Sequence, residues 1–401
     1  MQQPKRPRTP RGLKQDGAAL WSYGFRPFFL GGAVWAIVSM ALWIAALAHG
    51  VAIGGDYGGS LWHAHEMTFG FAPAVLAGFL LTAIPNWTGR LPVSGGPLIA
   101  LFALWLIGRI GMLLAGLIGI GLAALLDAAF LPVLIWLCAR EIIGGRKWQN
   151  LMVLAGVAVV TAGNLGFHLA MLTAGNARTW LHFAVAGYVV LVTIIGGRII
   201  PSFTRNWLSQ RGSQALPVPF GRFDLGTIAV SAIALLFWVA LPFSPVTAAL
   251  SSAAAMLNAV RLARWRGWLV GQEWLLLVLH LSYCFVPLGL LAIAATALGA
   301  VSETSSLHLL TVGVIATMML AVMSRATRGH TGRSLSASRM TIAAYLCLFA
   351  AALLRPVADL SGMIAMMEAA GILWIAAFGL FVVENAPMLL HVRRPARAAE
   401  A

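Results

Sequence analysis

The sequence predicts an all-α polytopic membrane protein with about twelve transmembrane helices, and three observations support this fold class. The chain has 401 residues, of which 60% are hydrophobic and only 10% are charged, whereas soluble domains carry about 25% charged residues. Apolar runs of the length that spans a bilayer, about 20 residues, recur along the whole chain. Most lysines and arginines lie between these runs. The net charge of +15 therefore indicates membrane topology rather than binding to nucleic acid.

Twelve apolar runs are predicted to be the spanning helices, because glycine, proline or charged residues separate most of them. In order, they cover residues 26–48, 62–84, 97–116, 118–139, 150–174, 179–200, 224–242, 245–263, 273–297, 303–324, 339–358 and 366–390. The third and fourth runs are joined by a short glycine-rich hairpin at residues 116–119, so a count of eleven is also open at this stage.

Positive charge alternates from loop to loop and predicts the orientation. The loops after the even-numbered helices and both chain ends hold most of the lysines and arginines, whereas the loops after the odd-numbered helices hold only Arg178. Positively charged loops face the cytoplasm, so both ends are expected there, and the alternation favours twelve helices. The predicted organisation is a disordered basic cytoplasmic tail (1–20), a single transmembrane domain (21–392) and a cytoplasmic tail (393–401).

Helices 2, 6 and 10 form a weak internal repeat. Each opens with histidine near its outer end and finishes in a cytoplasmic segment rich in arginine and threonine. Pro85 follows His65 at nearly the same spacing as Pro201 follows His182. This pattern predicts three four-helix units around a pseudo-threefold axis.

Most of the histidines are predicted to lie in the outer half of the membrane. Ionisable residues there are costly and usually face the bundle interior, and imidazole is a common ligand of haem iron and copper. For any single histidine, a bond to a backbone carbonyl is the alternative. The candidate metal ligands are His63, His65, His168, His182, His280 and His308. Of these, His280 lies deeper, in helix 9. The three cysteines form no C-x-x-C pair, which argues against a thiolate zinc site and covalently bound haem.

The segment at the start of helix 2 is the richest in candidate ligands. In a regular helix, His63, Glu66 and Met67 share one face and His65 lies on another. One interpretation makes His65 a haem ligand and places His63 with Met67 near copper. The alternative is that Glu66 orients a ligand histidine and Met67 only packs, and for Met67 packing is favoured.

Three further polar residues are predicted to lie near the histidines. Arg109 in helix 3 and Asp127 in helix 4 have similar depths, so an ion pair is expected, with a contact from Arg109 to a haem propionate as the functional alternative. Asn164 precedes His168 by one helical turn and is expected to orient its ring.

The sequence resembles the NnrS family of bacterial membrane proteins over nearly the whole chain after the N-terminal tail. The matching stretches are YGFRPFF at 23–29, WHAHEM at 62–67, GFLLTAIPNWTGR at 78–90, HLLTVG at 308–313, MSR at 323–325 and GHTGR at 329–333. The resemblance implies an inner-membrane protein that contains haem b and copper and is linked to nitric oxide metabolism and nitrosative stress resistance. His65, His182, His308 and Arg109 are the candidate haem-binding residues.

The helix count and the three four-helix units also look like the catalytic subunit of haem-copper oxidases and nitric oxide reductases, which is an analogy of fold alone. This chain lacks the adjacent histidine pair after helix 6 and has a single histidine in helix 10. Three functions therefore remain open. The first is a haem-copper protein that binds nitric oxide or a related small molecule; the second is a nitric oxide reductase, which needs an electron donor; the third is a secondary transporter.

Overall fold

The computed structural model describes residues 18–392, and these residues hold helices and loops but no β-strand. The predicted tail 393–401, and the predicted tail 1–20 as far as residue 17, lie outside the described residues. Twelve helices are long and apolar enough to cross a membrane, which confirms the predicted fold class and count. They are α1 Phe25–His49, α2 Gly55–Thr88, α3 Gly96–Leu113, α4 Ile120–Gly144, α5 Trp148–Leu172, α6 Ala177–Ser209, α7 Arg222–Ala240, α8 Pro245–Ala263, α9 Trp274–Ala297, α10 Glu303–His330, α11 Arg339–Ser361 and α12 Ile364–Leu390.

The helix boundaries differ most from the predicted ones in α2 and α6. Helix α6 runs on to Ser209 although Pro201 suggested an end near residue 200. Proline is tolerated inside membrane helices because neighbouring groups satisfy the freed carbonyl. Helix α2 starts earlier than predicted, with a 3₁₀ turn at Gly55–Tyr57. This turn depends on Gly54, whose φ is +79° and whose added Cβ would lie 2.6 Å from Cβ of Trp62.

The first and last helices pack side by side and define the two faces of the bundle. Near the start of α1, Nη1 of Arg26 donates to the carbonyl oxygens of Leu389 and His391, both at 2.8 Å, at the end of α12. Deeper in the bundle, Nε1 of Trp374 donates to the carbonyl oxygen of Ala36 at 3.0 Å. We call the face where α1 begins the inner face and the opposite one the outer face.

Helices α2, α6 and α10, which carry the repeated histidines, contact one another in pairs within the bundle. One of these contacts is a hydrogen bond of 3.0 Å from the Tyr188 hydroxyl in α6 to the carbonyl oxygen of Thr68 in α2. The arrangement of three four-helix units about an axis, and the likeness to haem-copper oxidases, stay predictions.

Two of these helices change to π-helical geometry immediately after a histidine. In α2 the π segment is Glu66–Phe71, directly after His65. In α10 it is Leu309–Ala316, directly after His308. Such segments are uncommon and occur frequently at functional sites. The structure therefore marks the outer halves of α2 and α10 as the place to look for one.

Candidate functional site

Six polar residues from four helices form a cluster within the outer half of the bundle, which we call the buried group. None of their side chains is more than 4% exposed. The members are His65 and Glu66 of α2, Arg109 of α3, Asp127 of α4, and Asn164 and His168 of α5.

Three members of the buried group have the geometry of metal ligands. Nε2 of His65 lies 3.3 Å from Nε2 of His168 and 3.3 Å from Oδ2 of Asp127, and the His168–Asp127 distance is 2.9 Å. Two ligands bonded to one tetrahedral ion at 2.0–2.1 Å lie roughly 3.3–3.4 Å apart. The three atoms can therefore bind a single metal ion with little rearrangement.

Hydrogen bonds around His65 leave a place for a positive charge at its Nε2. Its Nδ1 lies 2.8 Å from Oε1 of Glu66 and donates to that carboxylate. The amide of Asn164 donates to Asp127 at 2.9 Å, which turns its own oxygen toward Nε2 of His65 at 3.3 Å. An unprotonated Nε2 would thus face two oxygen acceptors. Either a proton or a metal ion at this point removes the repulsion.

The charges of the buried group also call for a further cation. Nη2 of Arg109 forms an ion pair with Asp127, which confirms the predicted pairing. Nη1 of Arg109 donates to Oε2 of Glu66 at 2.5 Å. With two carboxylates, one guanidinium and neutral histidines, one negative charge remains uncompensated. An unpaired charge in a medium of low dielectric constant is strongly unfavourable, so a cation bound between His65 and His168 would stabilise the group.

Gly70 lets the backbone of α2 approach Arg109 and Glu66 closely. A Cβ on Gly70, in the π segment of α2, would lie 2.5 Å from Nη1 of Arg109 and 2.7 Å from Oε2 of Glu66. The same carboxylate oxygen accepts a hydrogen bond of 2.8 Å from Nε1 of Trp35. The residue at position 70 must therefore lack a side chain if Glu66 is to orient His65.

Tyr57 closes the outer side of the buried group. Its hydroxyl lies 2.9 Å from Nδ1 of His168 and 3.3 Å from the carbonyl oxygen of Ile120. His168 is thus held at one ring nitrogen by a hydroxyl while the other points at Asp127. Asn164, which we expected to orient His168, instead contacts Asp127 and His65.

A second site is a cavity of about 340 Å³ among α1, α2, α6, α10, α11 and α12, which we call the histidine cavity. It brings together His63, His182 and His308, three of the predicted ligands, on walls that are mostly apolar. Met67 lines the cavity as well.

The histidines of the cavity have ring nitrogens available for a ligand. Nδ1 of His308 lies 2.8 Å from the carbonyl oxygen of Thr304 and donates to it, which leaves the lone pair on Nε2. Nδ1 of His63 is buried without a hydrogen-bond partner among the described residues. The His63 ring stacks on Trp43 at 4.7 Å between centroids.

His182 is held more firmly than the other two. Its ring stacks on Trp238 at 4.6 Å, and its Nε2 lies 3.5 Å from Oε1 of Glu303. His63 and His308 are accordingly the freer pair, and they approach the cavity from α2 and α10.

The structure groups the predicted ligand residues differently from the grouping that the sequence suggested. Glu66 was expected on the face of His63, but its carboxylate bonds to Nδ1 of the adjacent His65. Within the described part of the chain, the residues that line the cavity do not include His65 or Arg109. His280 lies on α9 near the inner face, with its Nε2 2.8 Å from the hydroxyl of Thr204. It belongs to neither site.

The sequence interpretation missed several residues of both sites. They are Tyr57 and Trp35, which contact the buried group, and Trp43 and Arg355, which line the cavity, and none of them belongs to a recognisable motif. The available signal for Tyr57 was its place in a glycine-rich segment, GGDYGG, directly before the histidine motif.

The sequence model of one protein family, described as NnrS protein, matches residues 19–393, nearly the whole chain. This match confirms the resemblance seen in the sequence motifs. No curated protein matches the chain.

Proposed function

The chain belongs to the NnrS family, and on this basis we propose that it is a haem-copper membrane protein that binds nitric oxide or a related small molecule at a histidine-ligated metal site. Its role is in nitric oxide metabolism and nitrosative stress resistance. A multi-pass membrane protein with a buried, histidine-rich site fits this role. We place it in the bacterial inner membrane with both ends in the cytoplasm, as the positive charge of the loops favours.

The observation that carries the proposal is that His63 and His65, two residues apart in α2, face two different sites. His65 faces the compact group with His168 and Asp127, whose ligand atoms all lie within 4.8 Å of one another. His63 faces a cavity of about 340 Å³ with His308 and His182. One site has the size of a single ion, and the other has room for a larger group.

We assign copper to the buried group. Imidazole nitrogen suits copper, and a carboxylate can complete its coordination. The fit rests on two observations made above, the oxygen acceptors that surround Nε2 of His65 and the uncompensated negative charge. Glu66 and Tyr57 hold the far nitrogens of the two rings and so fix their orientation.

We assign haem b to the histidine cavity, with His63 and His308 as the leading candidates for the one histidine ligand of the iron and His182 as the next. Because Nδ1 of His63 has no hydrogen-bond partner and the lone pair on Nε2 of His308 is free, either residue would be able to hold the haem iron. When bound, the haem iron supplies a coordination position for the neutral gas. The chain's apolar walls exclude water around that position. His65 is better suited to copper, because both of its ring nitrogens face the buried group.

An optical spectrum and a metal analysis of the detergent-purified protein test the proposal. We expect a b-type haem band and copper in the same preparation. His63→Ala or His308→Ala should remove the haem band while copper remains, and His65→Ala should do the opposite. A preparation that holds neither cofactor, after expression with both supplied, would falsify the assignment.

A nitric oxide reductase is the second candidate function. It needs the same cofactors together with an electron donor, whose identity we leave open. Consumption of nitric oxide by the purified protein with a supplied reductant separates this enzyme from a binding protein. A secondary transporter is the third candidate, and it is disfavoured because the buried group and the histidine cavity both lie toward the outer face, whereas a transporter is expected to hold its substrate near the midplane.

A further inference from the structure

We propose that Arg355, with Arg178 as a second contact, binds the carboxylate groups of the haem in the histidine cavity. This inference rests on the proposed function, because it takes the haem as the ligand. The residue proposed to contact the haem propionates is thus Arg355, which the sequence did not single out, and not Arg109.

The residues that line the cavity suit a ligand that is an amphipathic anion. Its walls are mostly apolar, and its charged lining residues are Arg178, Arg355 and Glu303. A ligand that fills it must therefore be apolar over most of its surface and carry negative charge at one edge. Haem b has this character, with two carboxylates on one edge of an apolar macrocycle.

Arg355 has an unused hydrogen-bond donor at the cavity. Its Nη1 is buried and makes no hydrogen bond within residues 18–392. The nearest carboxylate is Asp359, whose Oδ1 lies 4.0 Å from that nitrogen, at the limit of an ion pair. The other oxygen of Asp359 accepts from the hydroxyls of Ser302 and Ser305 instead. A carboxylate that reaches Arg355 would therefore gain a charge-assisted hydrogen bond without breaking an existing one.

Arg178 stands at the outer end of the same cavity. It is the second residue of α6, and its side chain is exposed. Two guanidinium groups, from α6 and α11, thus border the cavity on its outer side. A haem with its carboxylates directed outward keeps them near water and places the macrocycle among the apolar walls.

Arg109 does not fit this role. Its Nη1 and Nη2 are taken by Glu66 and Asp127. Arg109 is also not among the described residues that line the histidine cavity, so its side chain does not reach the proposed haem site.

The test compares two probes, haem b and its dimethyl ester, in which both carboxylates are esterified. Apoprotein from haem-deficient cells is titrated with each probe in detergent, and binding is followed by absorbance. We expect wild type to bind the diacid at least about tenfold more tightly than the ester, the effect of losing one or more charge-assisted hydrogen bonds. Arg355→Gln should bind both probes about equally. Arg355→Lys should keep part of the preference, and Arg178→Gln should lose less of it because its site is exposed.

Arg339→Gln is the matched control, because Arg339 is an exposed arginine at the start of the same helix and does not line the cavity. Copper bound to the buried group reports whether each variant folds, since α11 contributes no residue to that group. Equal binding of both probes by wild type, or a preference that survives in Arg355→Gln, overturns the inference and leaves the haem assignment standing. Failure of wild type to bind either probe at micromolar concentration overturns both.

Discussion

Nε2 of His65 in α2 lies 3.3 Å from Nε2 of His168 in α5, although about a hundred residues of chain separate them. Two neutral imidazoles at this distance need a proton or a metal ion between or beside them. Asp127 and Asn164 surround the same point with oxygen atoms. His65, His168 and Asp127 are therefore expected to bind one ion together.

Replacing His168 by alanine should remove copper and leave haem in place. The variant loses one of three ligand atoms, and the remaining pair, His65 and Asp127, binds a metal ion much more weakly. Copper and haem are measured on the same sample by mass spectrometry and absorbance. His280→Ala is the control, because His280 belongs to neither site. Full copper occupancy in His168→Ala would show that the ion is bound elsewhere.

Replacing Arg109 by glutamine should destabilise the protein by about 3–5 kcal/mol, because two buried carboxylates lose their shared cation. Thermal unfolding in detergent measures the loss. The double variant Arg109→Gln/Glu66→Gln should recover part of it, since only one of the carboxylates then lacks its partner. Arg109→Lys should be intermediate, because an ammonium group cannot reproduce the two-sided bridge. A double variant no more stable than the single one would contradict this electrostatic explanation.

Replacing Gly70 by alanine should lower the free energy of unfolding by about 1–3 kcal/mol and reduce the copper content. The new methyl group would collide with Arg109, Glu66 and Trp35 at distances below 3 Å. Gly379→Ala in α12 is the control, because a Cβ there has no neighbour within 4 Å and alanine favours helix. Wild-type stability in Gly70→Ala would mean that the orienting contacts of Glu66 tolerate displacement.

Deleting Val312 should abolish haem binding while the bundle still forms. The deletion shortens the π segment of α10 by one residue, so His308 rotates by about 100° relative to the rest of the helix. Copper content and far-ultraviolet circular dichroism report whether the fold persists. Deletion of Leu335, an exposed residue in the loop between α10 and α11, is the matched control. A normal haem spectrum in the Val312 deletion would remove His308 from the list of ligands.

The number and positions of the spanning helices were predictable because they depend on the length and composition of contiguous segments, which a sequence displays directly. The ion pair between Arg109 and Asp127 was predictable for a similar reason, since a short hairpin joins their helices and so fixes their relative depth. The division of the histidines between two sites was harder to predict. Depth in the membrane says nothing about lateral position, so His168 and His182 look alike in the sequence although they join different sites.

Side-chain reach and local backbone geometry were the other sources of difficulty. Position on a regular helix groups Glu66 with His63, whereas its carboxylate bonds to Nδ1 of the adjacent His65. No residue pattern predicted the π segment that starts at Glu66. Arg355 was equally inconspicuous, because one arginine in an apolar run carries no information about which cavity it will border.

The contact between α1 and α12 has a consequence for biosynthesis. The buried group draws on α2 to α5 alone, whereas the histidine cavity also needs α11 and α12. Because chains emerge from the ribosome with their amino-terminal part first, the ion site can assemble while more than half of the polypeptide is still being made. The histidine cavity is complete only once the final helix has inserted and docked against the first, through Trp374 and Arg26. Under the proposed assignment, the protein would therefore be able to take up copper before haem.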